Sequence, residues 1–125
     1  GWHVFSDARL KSNLAPLSGS LQKLMLLKPY QYNYKLAAAS PLKDSASVNV
    51  KKAFTETLTD SSLHYGLVAQ DLQAVFPNLV RQDEKGLLSI NYTELIPVLI
   101  KAIQEQNERI KNLENLLLAK TGTNQ

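Results

Sequence analysis

The sequence predicts an α+β fold: a head of short helices with a small, mostly antiparallel sheet, and a long C-terminal helix that forms a trimeric coiled coil. Two patterns indicate the head, because residues 30–36 and 87–92 alternate as strands do and residues 16–28 repeat leucine at helical spacing. A third pattern indicates the long helix, since residues 93–120 carry apolar residues at a seven-residue interval. The chain of 125 residues, 44% of them hydrophobic, has the size and composition of one globular domain.

The first helix is predicted within residues 16–28, where four leucines lie on one helical face. They are Leu17, Leu21, Leu24 and Leu27. We expect Ser18 or Ser20 to cap the start of this helix, and Pro29 to end it. The strand that follows places Tyr30, Tyr32 and Tyr34 on one face, which is typical of a packed sheet surface.

The middle of the chain combines an unusual insertion with a compact strand and helix. Residues 36–60 are rich in Ala, Ser, Thr and Lys, and predict either a long loop or an extended hairpin arm that reaches outside the core. Residues 64–80 predict a short strand and then a helix that carries Leu72, Val75 and Phe76. A polar turn at 81–86 leads into the strand at 87–92.

The long helix at 93–120 carries the two apolar series of a coiled-coil seam. The first series is Ile96, Ile103, Ile110 and Leu117, and the second, offset by three residues, is Leu99, Gln106 and Leu113. Isoleucine in the first series suits two or three strands, but a glutamine that faces a threefold axis can bond to its symmetry mates. The pattern therefore favours a homotrimer over a dimer. The alternative, a helix packed inside its own subunit, requires an upstream surface larger than this chain offers.

Composition argues against several classes of function. The net charge is +3 without a dense basic run, so we expect no nucleic-acid partner. The chain has no cysteine, and His3 and His64 are far apart, so we expect no metal and no cofactor. No apolar run approaches the roughly 18 residues that a membrane span requires, so we expect no membrane partner.

Four stretches, in this order, resemble the C-terminal intramolecular chaperone domain of bacteriophage tail spikes, tail fibres and neck appendages, the peptidase S74 family. They are SDARLK, LLKPYQYNYK, YGLVAQDLQAVFPNLV and LSINYTELIPVLIKAIQEQNERIKNLE. The resemblance runs from Ser6 to Leu116 and leaves 36–60 as an unmatched insertion. It implies a homotrimer that sets the upstream fibre or spike of the same polypeptide in register, in the host cytoplasm during phage assembly, and then cuts itself off. The family also includes the self-cleaving domain of a membrane-tethered transcription factor.

The resemblance also implies a Ser-Lys dyad for the cut, with Ser6 as the nucleophile and Lys11 as its base. Arg9 is a candidate supporting residue, as a positive charge close to Lys11. The implied scissile bond joins Ser6 to Asp7. Without the resemblance, Ser6 and Asp7 would be taken for an ordinary helix N-cap pair.

Two points of this chemistry stay open in the sequence. Side chains five residues apart do not meet on a regular helix, so the dyad requires a turn at Asp7 to Leu10 or a lysine from a neighbouring subunit. Attack of Ser6 on its own carbonyl would close a four-membered ring, whereas attack on the Phe5 carbonyl would close a five-membered one. We therefore keep Phe5/Ser6 as the alternative scissile bond, and expect Ser6/Asp7 with Ser6 positioning a water or acting on another chain.

These observations divide the chain into four parts. Residues 1–6 end the preceding fibre and hold the cleavage site, residues 7–92 form the head with its arm, residues 93–120 form the trimerisation helix, and residues 121–125 form a flexible tail. The alternative function is a structural trimerisation domain that does not cleave itself.

Overall fold

The computed structural model describes residues 3–35 and 59–122, so nearly all of the predicted arm at 36–60 lies outside the described residues. In chain order the elements are α1 (Ser20–Leu24), β1 (Tyr30–Tyr32), β2 (His64–Gly66), α2 (Ala69–Val75), β3 (Val80–Gln82), β4 (Leu88–Ile90) and α3 (Leu95–Gly122). The described residues also contain two 3-10 helices: Ala8–Leu10 precedes α1, and Pro77–Leu79 lies between α2 and β3. The predicted α+β class is confirmed.

Helix α1 starts differently from the prediction. Its N-cap is Gly19, with a φ of 68° that favours glycine, and no side chain of the cap residue bonds to the helix, so the expected serine cap is wrong. The carboxylate of Glu105, far along the chain in α3, accepts hydrogen bonds from the first backbone N–H groups instead. Because this partner is distant in sequence, the local pattern around α1 could not indicate it.

The strands of the described residues form two separate two-stranded antiparallel sheets rather than one. In the first, β1 pairs with β2, and Tyr30 lies opposite Gly66 while Tyr32 lies opposite His64. The absence of a side chain at Gly66 leaves room for Tyr92, because a Cβ there would lie 2.6 Å from the Tyr92 hydroxyl. That hydroxyl accepts a hydrogen bond of 2.8 Å from the Leu67 N–H, which ties the start of α3 to the end of β2.

The second sheet is a hairpin of β3 and β4, with Val80 opposite Ile90. The predicted polar turn joins the strands and is organised by Asp83. Its carboxylate accepts hydrogen bonds of 2.9 Å from the N–H groups of Lys85 and Leu87. Gly86, with a φ of 85°, supplies the left-handed backbone that closes the turn.

The core lies where α2 and the following 3-10 helix meet the first turns of α3. Leu72 is fully buried, at 0% exposure, and is surrounded by buried side chains from both regions. These are Phe76, Leu79, Leu95 and Val98. Leucines of α1 and apolar residues of the strands pack partly buried around them, namely Leu24, Leu27, Leu67, Val75, Val80 and Ile90. Leu17, predicted to share the apolar face of α1, remains 45% exposed.

Helix α3 has two apolar faces. On one face, Leu95, Val98 and Ala102 are buried against the head. The other face carries the seven predicted seam residues, all exposed, with Ile103 at 65%. From residue 106 to residue 122 every position is exposed. The helix therefore extends beyond the head with its seam uncovered. No described helix is both long and apolar enough to cross a membrane.

Candidate functional site

The segment before α1 folds locally into a short turn. The 3-10 helix Ala8–Leu10 is capped by Asp7, whose Oδ1 accepts a hydrogen bond of 2.9 Å from the Arg9 N–H. The backbone closes the turn through bonds from the Leu10 N–H to the Asp7 carbonyl, at 3.0 Å, and from the Lys11 N–H to the Ala8 carbonyl, at 3.1 Å. Asp7, which the sequence offered as a helix-cap residue and as one side of the implied scissile bond, thus organises the turn.

This turn brings Ser6 and Lys11 together within one chain. The Lys11 Nζ donates a hydrogen bond of 2.6 Å to the Ser6 Oγ. Side chains five residues apart do not meet on a regular helix, but here the turn Ala8–Leu10 redirects the backbone between Ser6 and Lys11 and brings the two side chains together. Both side chains are exposed.

The Arg9 side chain lies on Asp7. Its Nη2 is 2.8 Å from Asp7 Oδ2, and its Nε donates a bond of 3.1 Å to Asp7 Oδ1. The Arg9 side chain, and then its backbone N–H, lower the pKa of Asp7 below its usual range, and Asp7 in turn raises the pKa of Arg9. The sequence offered Arg9 as a positive charge close to Lys11. In the structure its guanidinium is instead paired with the Asp7 carboxylate.

Apolar side chains flank this turn without cover. Val4, Phe5, Leu10 and Leu14 are all exposed, and Phe5 reaches 92%. Exposing apolar side chains to water is unfavourable. A group of exposed apolar side chains such as this one is typical of a segment that packs against another surface.

A second polar cluster, which the sequence analysis missed, lies where the chain returns from the arm. His64 Nε2 is 2.8 Å from Asp60 Oδ2 and 3.2 Å from Ser62 Oγ, and the His64 ring stacks on Tyr32 with a centroid distance of 5.6 Å. The Ser62 N–H also donates to Asp60 Oδ1, at 2.8 Å. In a Ser-His-Asp triad the serine and the carboxylate contact different ring nitrogens. Here Ser62 Oγ and Asp60 Oδ2 both contact Nε2 of His64. The cluster therefore holds the chain together just before β2 and lacks the arrangement that activates a serine nucleophile.

No group of three or more potential metal-ligating side chains occurs within residues 3–35 and 59–122. His3 and His64, the two histidines of the sequence, lie in the exposed N-terminal segment and in β2 respectively.

Comparison with known proteins gives a consistent assignment. The profile of the peptidase S74 family, described as chaperone of endosialidase, matches residues 6–81. The chain is 32% identical over 122 residues to the long tail fiber protein Gp37 of Enterobacteria phage M1, covering 94% of this chain and 42% of that protein. It is 30% identical over 120 residues to Gp37 of Enterobacteria phage K3, covering 93% of this chain and 8% of that protein. The chain thus spans less than half the length of these relatives, and it belongs to the peptidase S74, or chaperone of endosialidase, family.

Proposed function

We propose that the chain is a self-cleaving intramolecular chaperone of a phage fibre, which trimerises through α3, holds the upstream fibre chains in register and then releases itself by a cut beside Ser6. The observation that carries the proposal is the contact of 2.6 Å between Lys11 Nζ and Ser6 Oγ, at the residue where the family match begins. The work takes place in the host cytoplasm during phage assembly.

The uncovered seam of α3 supports the trimeric part of the proposal. Its apolar residues recur with the coiled-coil period on a face that the head leaves exposed, while a different face of the same helix holds the head. Gln106 is the one polar seam residue, and three copies on the axis satisfy one another while fixing the register.

A trimer of this kind serves a fibre by raising local concentration. Fibre structures built from non-local contacts fold slowly, because distant segments must meet before any contact stabilises them. Three chains joined at one end encounter one another at a high effective concentration, and in a fixed register. After the cut, the assembled fibre no longer includes the chaperone segment that could reverse its assembly. The assembled state therefore persists for kinetic reasons.

The chemistry requires a change from the exposed arrangement of the single chain. A lysine accepts the serine proton only as the neutral amine, and an exposed lysine is protonated near neutral pH. Packing of the apolar side chains around the turn, such as Phe5 and Leu10, against neighbouring chains or upstream residues would exclude water from Ser6 and Lys11. Cleavage would then follow assembly and not precede it.

Two routes lead from Ser6 to a broken peptide bond. In the favoured route a water that Ser6 positions gives a proton to Lys11 and attacks the Ser6 carbonyl. The Ser6–Asp7 C–N bond breaks, and the Asp7 nitrogen takes a proton and becomes the new amino terminus. Alternatively, the Ser6 hydroxyl of another chain attacks the same carbonyl, and water hydrolyses the ester that replaces the peptide bond. In the other route Ser6 Oγ attacks the Phe5 carbonyl as its proton passes to Lys11. The Phe5–Ser6 C–N bond breaks, the nitrogen takes a proton, and water hydrolyses the resulting ester.

The test is intact-mass spectrometry of the protein with its natural upstream residues. We expect cleavage of the native chain, and none after Ser6→Ala or Lys11→Ala. Ser18→Ala and Lys28→Ala, which change the same residue types at exposed positions outside the turn, should cleave like the native chain. A fragment that begins at Asp7 supports the first route, and a fragment that begins at Ser6 supports the second.

A native sample that is trimeric by light scattering and stays uncleaved would refute the proteolytic part of the proposal. The protein would then be a structural trimerisation domain, and the Ser6–Lys11 contact would be only a local feature of the turn.

A further inference from the structure

We infer that Asp7 and Arg9 form the positioning pair of the self-cleavage, because together they hold the 3-10 turn that keeps the Lys11 amine on the Ser6 hydroxyl. This inference rests on the proposed function and adds to it two side chains that act through the dyad and do not react themselves.

The turn needs such a pair because it has little else to stabilise it. A helix of three residues gains few backbone hydrogen bonds for the conformational entropy it loses. None of its residues is buried, so core packing does not fix it. Side-chain contacts within the segment are the remaining source of order.

Asp7 and Arg9 supply these contacts in a geometry that uses both carboxylate oxygens. Oδ1 accepts from the Arg9 backbone N–H at 2.9 Å and from Nε at 3.1 Å, while Oδ2 pairs with Nη2 at 2.8 Å. The same aspartate thus caps the turn and holds the side chain of its second residue. Lysine at position 9 has no second donor in a fixed fork, so it cannot reproduce this arrangement.

The pairing also determines where the Asp7 carboxylate points. A free carboxylate next to the dyad would attract the Lys11 side chain and draw it away from Ser6. With both oxygens held by Arg9, the carboxylate is directed to the guanidinium, and Lys11 Nζ is left on Ser6 Oγ.

The test measures the rate of self-cleavage of the full-length protein by intact mass over time. We expect Arg9→Ala to slow cleavage about tenfold or more, since small losses of alignment have large effects on rate. Arg9→Lys should be slowed nearly as much. Arg81→Ala, which removes an exposed arginine from β3, is the control and should cleave at the native rate. The trimer mass and the unfolding temperature should stay unchanged in every variant.

A second substitution separates positioning from other roles of Arg9. Ala8 is the first residue of the turn, where proline fixes a suitable φ, and Asp7 has a ψ of 135° that tolerates a following proline. Ala8→Pro should therefore stiffen the turn without Arg9. We expect the double variant Ala8→Pro, Arg9→Ala to recover most of the lost rate.

Each remaining outcome has a definite meaning. If the native chain cleaves and trimeric Arg9→Ala cleaves as fast, the positioning role is overturned while self-cleavage stands. If Arg9→Ala is slow and Ala8→Pro restores nothing, Arg9 acts by some route other than the turn, and the inference is again overturned. If the native chain does not cleave at all, self-cleavage itself fails and the inference fails with it.

Discussion

The contact between Glu105 and the start of α1 leads to a quantitative prediction for Glu105→Gln. The half-buried carboxylate receives three backbone hydrogen bonds, from Ser20 at 2.8 Å and Leu21 at 3.2 Å to Oε1, and from Gly19 at 3.2 Å to Oε2. It therefore replaces the side-chain cap that α1 does not have locally. Glutamine preserves the size of the side chain and one acceptor oxygen, but it removes the charge and the second acceptor.

The expected cost follows from those contacts. Losing a helix cap costs about 0.5–2 kcal/mol, and a hydrogen bond to a charged group contributes about 1.5–3 kcal/mol. Because the three bonds share one carboxylate that water can partly reach, we expect Glu105→Gln to lower the free energy of unfolding by about 1–2 kcal/mol, toward the range of a single cap. The loss should be concentrated in α1.

The assay is chemical denaturation followed by circular dichroism at one fixed protein concentration, because the stability of an oligomer depends on concentration. Hydrogen exchange of the Ser20 and Leu21 amides reports the cap directly. The control is Glu108→Gln, the same change on the same helix at a side chain that is 69% exposed, with a loss below about 0.5 kcal/mol. Equal stabilities of the two variants, with unchanged amide exchange, would refute the reasoning.

Three further predictions concern other parts of the chain. Gly66→Ala should lower the free energy of unfolding by about 1–3 kcal/mol, because the new Cβ would lie 2.6 Å from the Tyr92 hydroxyl. Combined with Tyr92→Phe, which removes that hydroxyl, the loss should be smaller than the sum of the two single losses. Additive losses in chemical denaturation would count against the clash. Gln106→Leu should raise the thermal unfolding temperature of the proposed trimer, since a polar seam residue costs stability, and an unchanged or lower temperature would remove Gln106 from the seam. The pKa of Asp60 lies below its usual range, chiefly because the Ser62 side chain donates a hydrogen bond to the carboxylate. The ionised carboxylate should therefore stabilise the fold above about pH 4, and this stabilisation should disappear as the pH falls through the lowered pKa. Ser62→Ala should raise that pKa in a carboxyl NMR titration, and an unmoved titration would show that the bond is not its cause.

Features that depend on local periodicity could be predicted from the sequence. The strands around Tyr30 and Ile90, the helix that buries Leu72 and the long helix with its second apolar series all follow from spacing. The cap of α1 could not be predicted in this way, because Glu105 lies 85 residues from Ser20 and no local pattern connects them. The division of the strands into two sheets depends likewise on long-range packing.

The candidate site was predictable by residue type and not by arrangement. The motif at Ser6 and Lys11 drew attention to the two residues, and the sequence required a turn if they were to meet within one chain. The reading of Ser6 and Asp7 as an N-cap pair included the cap that Asp7 forms, but the sequence did not indicate that Arg9 would pair with this cap and not stand beside Lys11. The cluster of Asp60 and His64 was missed because its contacts depend on how the chain returns to β2. The catalytic roles of Ser6 and Lys11 stay predictions.

The two faces of α3 make the head and the seam parts of one rigid body. Leu95, Val98 and Ala102, which are buried against the head, lie in the same helical turns as the first residues of the seam. In the proposed trimer, a slip of one helix by a single heptad would therefore displace its entire head by about 10 Å along the axis, at 1.5 Å per residue. The attached fibre chain would start about three strand residues out of step with its neighbours. The same slip would place Gln106 of the displaced helix level with Leu99 or Leu113 of its neighbours, so an error that breaks the polar layer of the seam would also appear as an axial stagger of the fibre before any bond is cut.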